Sequence, residues 1–389
     1  MQFSERISRI SVSSTAAVLQ KAQRLRADGI KLVDFGAGEP DFPTPENIKK
    51  AAIRALEENF TKYTPAGGIR QLREAVVERH AKDFDSNYAV EECLVTVGGK
   101  QALFEAVMAT VNSGDEVVLP VPYWVSFLDI VNYAGGKPVL LETRESEGFA
   151  VNADAVEELI SPKTKLIIVN SPNNPSGAVV SSQEMERLLA LAIRHDVLLL
   201  SDECYCQFYY DDLPFSLGSS KEKEHLLLVG SLSKTYAMTG WRVGFALGSS
   251  KLLANMVKLQ SHSTSNPNSI AQKAAVEALR GPQESVRAML SEYRLRRDRI
   301  VEGLRAIPGI KCTLPKGAFY AYPNVAAYLD QDGLADTTVL AENLLEEAHV
   351  AVVPGQAFGT RDHLRFSYAT SMHQIEEGLE RMAAFFARL

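Results

Sequence analysis

The sequence predicts an α/β fold, with a mostly parallel seven-stranded sheet in a large domain and a smaller α+β domain attached to it. Three observations carry this expectation. Runs of strand length such as LIIVN, VLLLSD and LLLV are apolar throughout rather than alternating, the pattern of strands buried on both faces by covering helices. They are separated by segments of helical period, the order that builds parallel sheets. After Gly281-Pro282 the pattern changes to a long charged amphipathic segment followed by short strands and helices.

In chain order, the strands expected in the large domain are Leu94–Val97, Glu116–Pro120, Pro138–Glu142, Lys165–Asn170, Val197–Asp202, Leu226–Gly230 and Val243–Gly248. Helices fit between them over Gln101–Val111 (QALFEAVMATV) and Ser182–His195 (SQEMERLLALAIRH), both with amphipathic spacing. Beyond Gly281-Pro282, a helix is expected from Glu284 to about Ala306. Three short strands follow near Phe319–Tyr322, Val350–Val353 and Leu364–Tyr368, with helices at Thr337–Glu347 and Met372–Leu389. The domain boundaries read from this pattern are an arm with part of the small domain over 1–42, a large domain over 43–283 and a small domain over 284–389. The chain shows no internal repeat and no low-complexity linker.

With 389 residues, 46% hydrophobic and 23% charged, the chain has ample material for a sizeable core. Its net charge of −7, from 41 basic and 48 acidic residues, argues against nucleic acid or an anionic membrane as partner. The cysteines at 93, 204, 206 and 312 form neither a disulfide framework nor a CxxC pair, and the seven histidines lack HxxxH spacing. They are read as buried, inert thiols, and no metal is expected. The start, MQFSERISRISVSS, has no apolar signal core, and no apolar run approaches the ~20 residues of a membrane span. Together these features predict a cytoplasmic protein.

Open α/β sheets bind ligands at the carboxyl ends of their strands, so the residues there matter most. After LVTV come Gly98-Gly99-Lys100, where glycines and a helix start would favour an anion. The strand ending at Asn170 runs into SPNNPSG, a turn cluster with amide donors. VLLLSD ends on Asp202-Glu203 with Tyr205 just beyond, and a buried acid calls for a cation or donors. LLLVG runs into Ser231-Leu232-Ser233-Lys234, with Arg242 close behind. Ser231-x-x-Lys234 also fits the β-lactamase signature, but the Ser-Asp-Asn and Lys-Thr-Gly partners are missing. One ligand would use an anion cradle, an acid, a phenol, an amide and a lysine together: a phosphorylated aromatic aldehyde, held by lysine as a Schiff base, with the acid on its ring nitrogen.

The motifs AGEPDFPTP, KYTPAGG, VTVGGKQAL, PYW, NSPNNPSG, SDECY and SLSKTYAMTGWRVG follow one another in order. On these, nearly the whole chain resembles the class I aminotransferases of pyridoxal phosphate (PLP) fold type I, in particular the bacterial aspartate branch called Ib or I-gamma. The resemblance implies PLP bound to Lys234, which also shuttles the substrate proton, and Asp202 paired with the pyridine nitrogen. It implies Asn174 and Tyr205 on the phenolic oxygen, Trp124 stacked on the ring, and Ser231, Arg242 and the Gly99 and Lys100 amides on the phosphate. Tyr63 resembles the tyrosine given to the phosphate by a neighbouring subunit, so a homodimer is implied. Arg365 resembles the arginine that forks onto the substrate α-carboxylate, and Gly38 the glycine lining the substrate side.

In that branch, a lysine in the GGK turn and an N-terminal threonine bind the distal carboxylate of a dicarboxylic substrate; Lys100 and Thr15 match. The resemblance therefore implies aspartate:2-oxoglutarate transamination by ping-pong chemistry, with prephenate as a further substrate that Arg6 would assist. A transaminase for aromatic or other neutral amino acids, or a carbon–sulfur β-lyase, would share most of these residues. A PLP-binding regulator would need an added basic DNA-binding domain, for which the N-terminus is too short.

Overall fold

The computed structural model describes residues 3–11, 20–22, 24–25, 27–211, 214–330 and 334–389. Thr15 lies outside them. Strand β1 spans Val33–Asp34, and seven strands then form one sheet: β2 (Cys93–Thr96), β3 (Glu116–Val121), β4 (Lys137–Glu142), β5 (Thr164–Asn170), β6 (Leu198–Asp202), β7 (Leu226–Ser231) and β8 (Gly244–Gly248). Their spatial order is β2-β8-β7-β6-β5-β3-β4. Only β8 runs against its neighbours; the pairs from β7 through β4 are parallel.

The continuous apolar runs are explained by the two faces they serve. In β5, Ile167 and Val169 enter the core under helices Glu46–Glu57, Arg70–Phe84, Ser182–His195 and Ser269–Arg280. Leu166 and Ile168 enter the core under helices Gly99–Thr110, Val125–Ala134 and Ser250–Ser261. The same division splits Leu199 from Leu198 and Leu200 in β6, and Leu228 from Leu227 and Val229 in β7. Each such side chain contributes about 1.5–3 kcal/mol on burial, so both layers of helices are held by the same strands.

The C-terminal part gathers a third core around Tyr293, Ile300, Phe319, Leu340, Leu364 and Phe366, joined by Val33 and Phe35 from the early chain. Its strands are β9 (Tyr320–Ala321), β10 (Val350–Ala351), β11 (Val353–Pro354) and β12 (Leu364–Ser367). β10 pairs in parallel with β1, while β11-β12-β9 form a small antiparallel sheet. The single strand expected over Val350–Val353 is therefore two, because the chain changes partner at Val352. Helix Glu284–Ala306 starts with Val286 against the large sheet's core and continues with Met289 and Tyr293 in the C-terminal one. Among the described residues, no helix is long and apolar enough to cross a membrane, and no cluster of side chains could hold a metal ion.

Candidate active site

The carboxyl ends of β2, β5, β6 and β7 open onto one cleft of about 540 Å³, closed on its far side by residues 36–39, Tyr320 and Arg365. Parallel pairing aligns these ends: Asn170 stands opposite Asp202, and Asp202 opposite Val229 near the end of β7. Gly38, Gly99, Lys100, Trp124, Asn174 and Asp202 line the cleft, as do Tyr205, Ser231, Lys234, Arg242 and Arg365. Tyr63 is not brought there within its own chain and is 91% exposed. Arg6, on the short helix Glu5–Ser8, is also exposed and away from the cleft.

At one end, Gly98 takes φ +81° and hands the chain to helix Gly99–Thr110, whose first turn no side chain caps. A Cβ on Gly98 would stand 2.6 Å from Nη2 of Arg242, so glycine is what lets the guanidinium close on the helix start. Arg242 is fixed by donating from Nη1 to the Thr239 carbonyl at 2.9 Å. Ser231 Oγ accepts from the Ser233 N–H at 3.1 Å and donates to Ser233 Oγ at 2.9 Å. Uncapped N–H groups, a hydroxyl and a guanidinium converge here, which is an anion cradle.

Asp202 is buried at the end of β6, with one oxygen accepting the Cys204 N–H at 3.0 Å. Burial pushes its carboxyl up to about 6; the Cys204 donors pull it down, and the neighbouring Glu203 charge pushes it up again. No cation of the described residues forms an ion pair with it. Lys234, from the short helix after β7, donates from Nζ to the Gly38 carbonyl at 2.5 Å. Burial pushes its amine down to about 8, against smaller opposing effects of Cys204 and Glu39. A lysine so placed has a sizeable free-base fraction near neutral pH and is a competent nucleophile and base.

Arg365 is 2% exposed on β12 and has no acid partner among the described residues. Its Nη2 donates to the Gly36 carbonyl at 2.8 Å and its Nη1 to Asn174 Oδ1 at 3.1 Å, while Nε has no partner. The guanidinium lies over Tyr320 and Phe358, 4.6 and 5.2 Å from the ring centroids. A buried cation held by neutral groups alone is costly unless a ligand anion completes it. Lys100 opens towards the cleft mouth, its Nζ 4.9 Å over the Trp124 ring rather than against an acid. Partial burial and then the like charge of Arg242 pull its amine below the usual lysine range.

Several cleft residues were not anticipated from the sequence. Tyr320, whose hydroxyl is 2.8 Å from that of Tyr205, comes from a different sheet, and no local pattern points to it. Glu39 also lines the cleft, beside Ser233 and Thr239 of the hydroxyl-bearing run after β7 that the sequence does place there. The expectation of buried thiols holds for Cys93 and Cys312, but Cys204 and Cys206 are only partly covered and Cys204 faces the cleft. A small side chain suits that place, since a Cβ on Gly99 would lie 2.9 Å from Cys204 Sγ. All four thiols are pushed upward, first by burial, and stay protonated.

Comparison with known proteins agrees with this geometry. The family model described as "Aminotransferase class I and II" matches residues 30–382. An aspartate/prephenate aminotransferase of Thermus thermophilus is 44% identical over 99% of both chains. An aspartate aminotransferase of Bacillus sp. (strain YM-2) is 41% identical over 98% of both. Among solved structures, the Thermus thermophilus aspartate aminotransferase with maleate superposes with a TM-score of 0.94 at 44% identity, covering 99% of each chain. The Rhizobium meliloti aspartate aminotransferase gives 0.94 at 42% identity, with each chain fully covered. The architecture is that of PLP-dependent transferase fold type I, and the chain belongs to the class I and II aminotransferases.

Proposed function

We propose that this transaminase uses pyridoxal phosphate to move the amino group of aspartate to 2-oxoglutarate, with prephenate as a further acceptor. The observation that carries the reading is that one cleft is lined both by the Lys234 amine and by the buried Asp202 carboxyl, which no cation of the described residues meets. The residues present fit the cofactor. Burial raises the Asp202 carboxyl, with no cation of the described residues paired to it, the Gly98–Gly99 turn leaves room for an anion, and Arg365 keeps an unpartnered Nε.

When bound, the cofactor supplies an aldehyde that accepts the amino group and a protonated ring that spreads the electron pair left on Cα. Lys234 would hold that aldehyde, and its free amine would take the Cα proton and return it. Asp202 would keep the ring nitrogen protonated, Asn174 and Tyr205 would serve the phenolic oxygen, and Trp124 would cover the ring. Ser231, Arg242 and the N–H groups of Gly99 and Lys100 would hold the phosphate. Arg365 takes the α-carboxylate in a two-pronged pair. Lys100, with Thr15, takes the distal carboxylate, which selects acidic substrates because an unmatched charge is expensive. Keto acid leaves before the second substrate binds.

Support for dicarboxylic substrates comes from the relatives, named aspartate and aspartate/prephenate aminotransferases, and from the maleate in the Thermus thermophilus structure, itself a dicarboxylate. Tyr63, exposed and not part of its own cleft's lining, would reach the phosphate of a partner subunit, making the working unit a homodimer. Residues 43–283 would act as the cofactor domain and 284–389, with the early chain, as the part that closes over substrate and carries Arg365. Four unpaired cysteines suit a cytoplasmic setting. The test is spectroscopic. With pyridoxal phosphate loaded, L-aspartate should bleach the aldehyde absorbance with release of oxaloacetate, and 2-oxoglutarate should restore it. Release of pyruvate and ammonia from a sulfur amino acid, with no response to aspartate, would make the protein a β-lyase.

A further inference from the structure

Tyr320 touches three of the groups on which the reading above relies. It opens β9, which is held to β12 by the pairing of Tyr320 with Ser367, two residues past Arg365. Its side chain is fully buried. The hydroxyl oxygen lies 2.8 Å from that of Tyr205 and 3.2 Å from the place a Cβ on Gly38 would occupy. Its ring carries the Arg365 guanidinium 4.6 Å from the centroid, and it meets the Tyr205 ring edge-on at 78°.

Two hydroxyls facing each other carry two protons, and their hydrogen bond uses one. Were Tyr205 the donor, the proton of Tyr320, whose side chain has no exposure at all, would be left without an acceptor, since among the described residues Tyr205 is the only hydrogen-bond partner of that hydroxyl. With Tyr320 as donor, the proton left over belongs to Tyr205, which is 5% exposed and lines the cleft. The cation over the Tyr320 ring favours this direction, because a nearby positive charge makes a phenol the better donor. Burial keeps both phenols neutral.

We propose that Tyr320 is a positioning residue that links the two ends of the site: its hydroxyl donates to Tyr205 and turns the Tyr205 proton into the cleft, and its ring holds the Arg365 guanidinium flat for a carboxylate. The two roles separate by substitution. Tyr320→Phe keeps the ring and loses the donor. Tyr205 then holds the cofactor's phenolic oxygen less well, and the pH at which the bound cofactor's absorbance titrates rises by about half a unit, the size of one weakened neutral hydrogen bond. KM for aspartate stays within about twofold, since the ring under Arg365 remains. Tyr320→Leu removes the ring as well, and KM for aspartate rises about tenfold, as does the dissociation constant of maleate measured by the change in cofactor absorbance.

The proposal rests on the cofactor reading, and the experiment separates the two. Wild-type protein that takes up no pyridoxal phosphate overturns that reading and this one with it. Wild-type protein that titrates normally, with Tyr320→Phe titrating at the same pH and Tyr320→Leu keeping KM, overturns the role of Tyr320 alone. Melting of the cofactor-free variants gives a readout independent of activity. Tyr320→Phe should melt within a few degrees of wild type, and a titration shift accompanied by a collapse of melting temperature counts against positioning.

Discussion

Replacing Arg365 by methionine separates what this side chain does for the fold from what it does for substrate. Methionine keeps an unbranched stem out to the position of Nε and carries no charge. Arg365 is 2% exposed, and among the described residues its hydrogen bonds go to the Gly36 carbonyl and Asn174 Oδ1, with Nε unpartnered. Removing it relieves a desolvated cation, which costs several kcal/mol where no counter-ion repays it. Against this, two buried acceptors lose their donors, at about 1–3 kcal/mol each, and contacts with Tyr320 and Phe358 worth about 1–2 kcal/mol are lost. The terms nearly cancel, so the cofactor-free variant should melt within about 5 °C of wild type. Function should not survive. A substrate carboxylate left without its two-pronged partner loses about 3–5 kcal/mol, or roughly two to three and a half orders of magnitude in kcat/KM for aspartate. The assay is steady-state kinetics beside thermal melting of the apoprotein. A loss below tenfold, or a loss that merely follows unfolding, would refute the assignment.

Two further outcomes follow from charge placement. The carboxyl of Asp202 stands at about 6 in the folded protein against an ordinary 3.8, so the folded state binds this proton more tightly than the unfolded one. Its contribution to apoprotein stability is therefore present below about pH 4 and lost as pH rises through 6, by roughly 3 kcal/mol in all. Denaturant titrations of wild type and Asp202→Asn across pH 4–7 should differ by that slope, the other raised carboxyls, Glu105 and Asp83, cancelling in the difference; parallel curves would contradict it. Lys100→Ala should lower kcat/KM for aspartate about tenfold or more while changing aromatic substrates less than about threefold, a modest effect because the side chain lies at an open mouth over Trp124. Equal losses on both substrates would remove the distal-carboxylate role.

Most of the large sheet was legible in the sequence because its strands are buried on both faces and so announce themselves as unbroken apolar runs. Each of the seven ends within two residues of its expected bounds, and helices Ser182–His195 and Thr337–Glu347 coincide with theirs. The site was legible for a related reason. Parallel strands deliver whatever follows them to one edge, so Asn170, Asp202 and Ser231 could be grouped before any coordinates were known. What failed to show were features set by packing between distant segments. Val350–Val353 reads as one strand because every residue in it is buried, yet its halves pair with β1 and β12. β1 is too short to leave a pattern. Tyr320 is 115 positions from Tyr205, and nothing local marks it as reaching the cleft rather than the C-terminal core. The spacing of Cys204 fits no disulfide or metal site and so reads as a buried, inert thiol, whereas the turn after Asp202 brings it to the cleft wall.

The account depends most on the amine at position 234. Borohydride reduction of protein incubated with pyridoxal phosphate, followed by peptide mapping, should find the label on Lys234 alone. Labelling of apoprotein with limiting aldehyde should rise with pH around the amine's value of about 8. Label on Lys100 or a surface lysine, or protein that stays colourless and unlabelled, would contradict the assignment of the cleft.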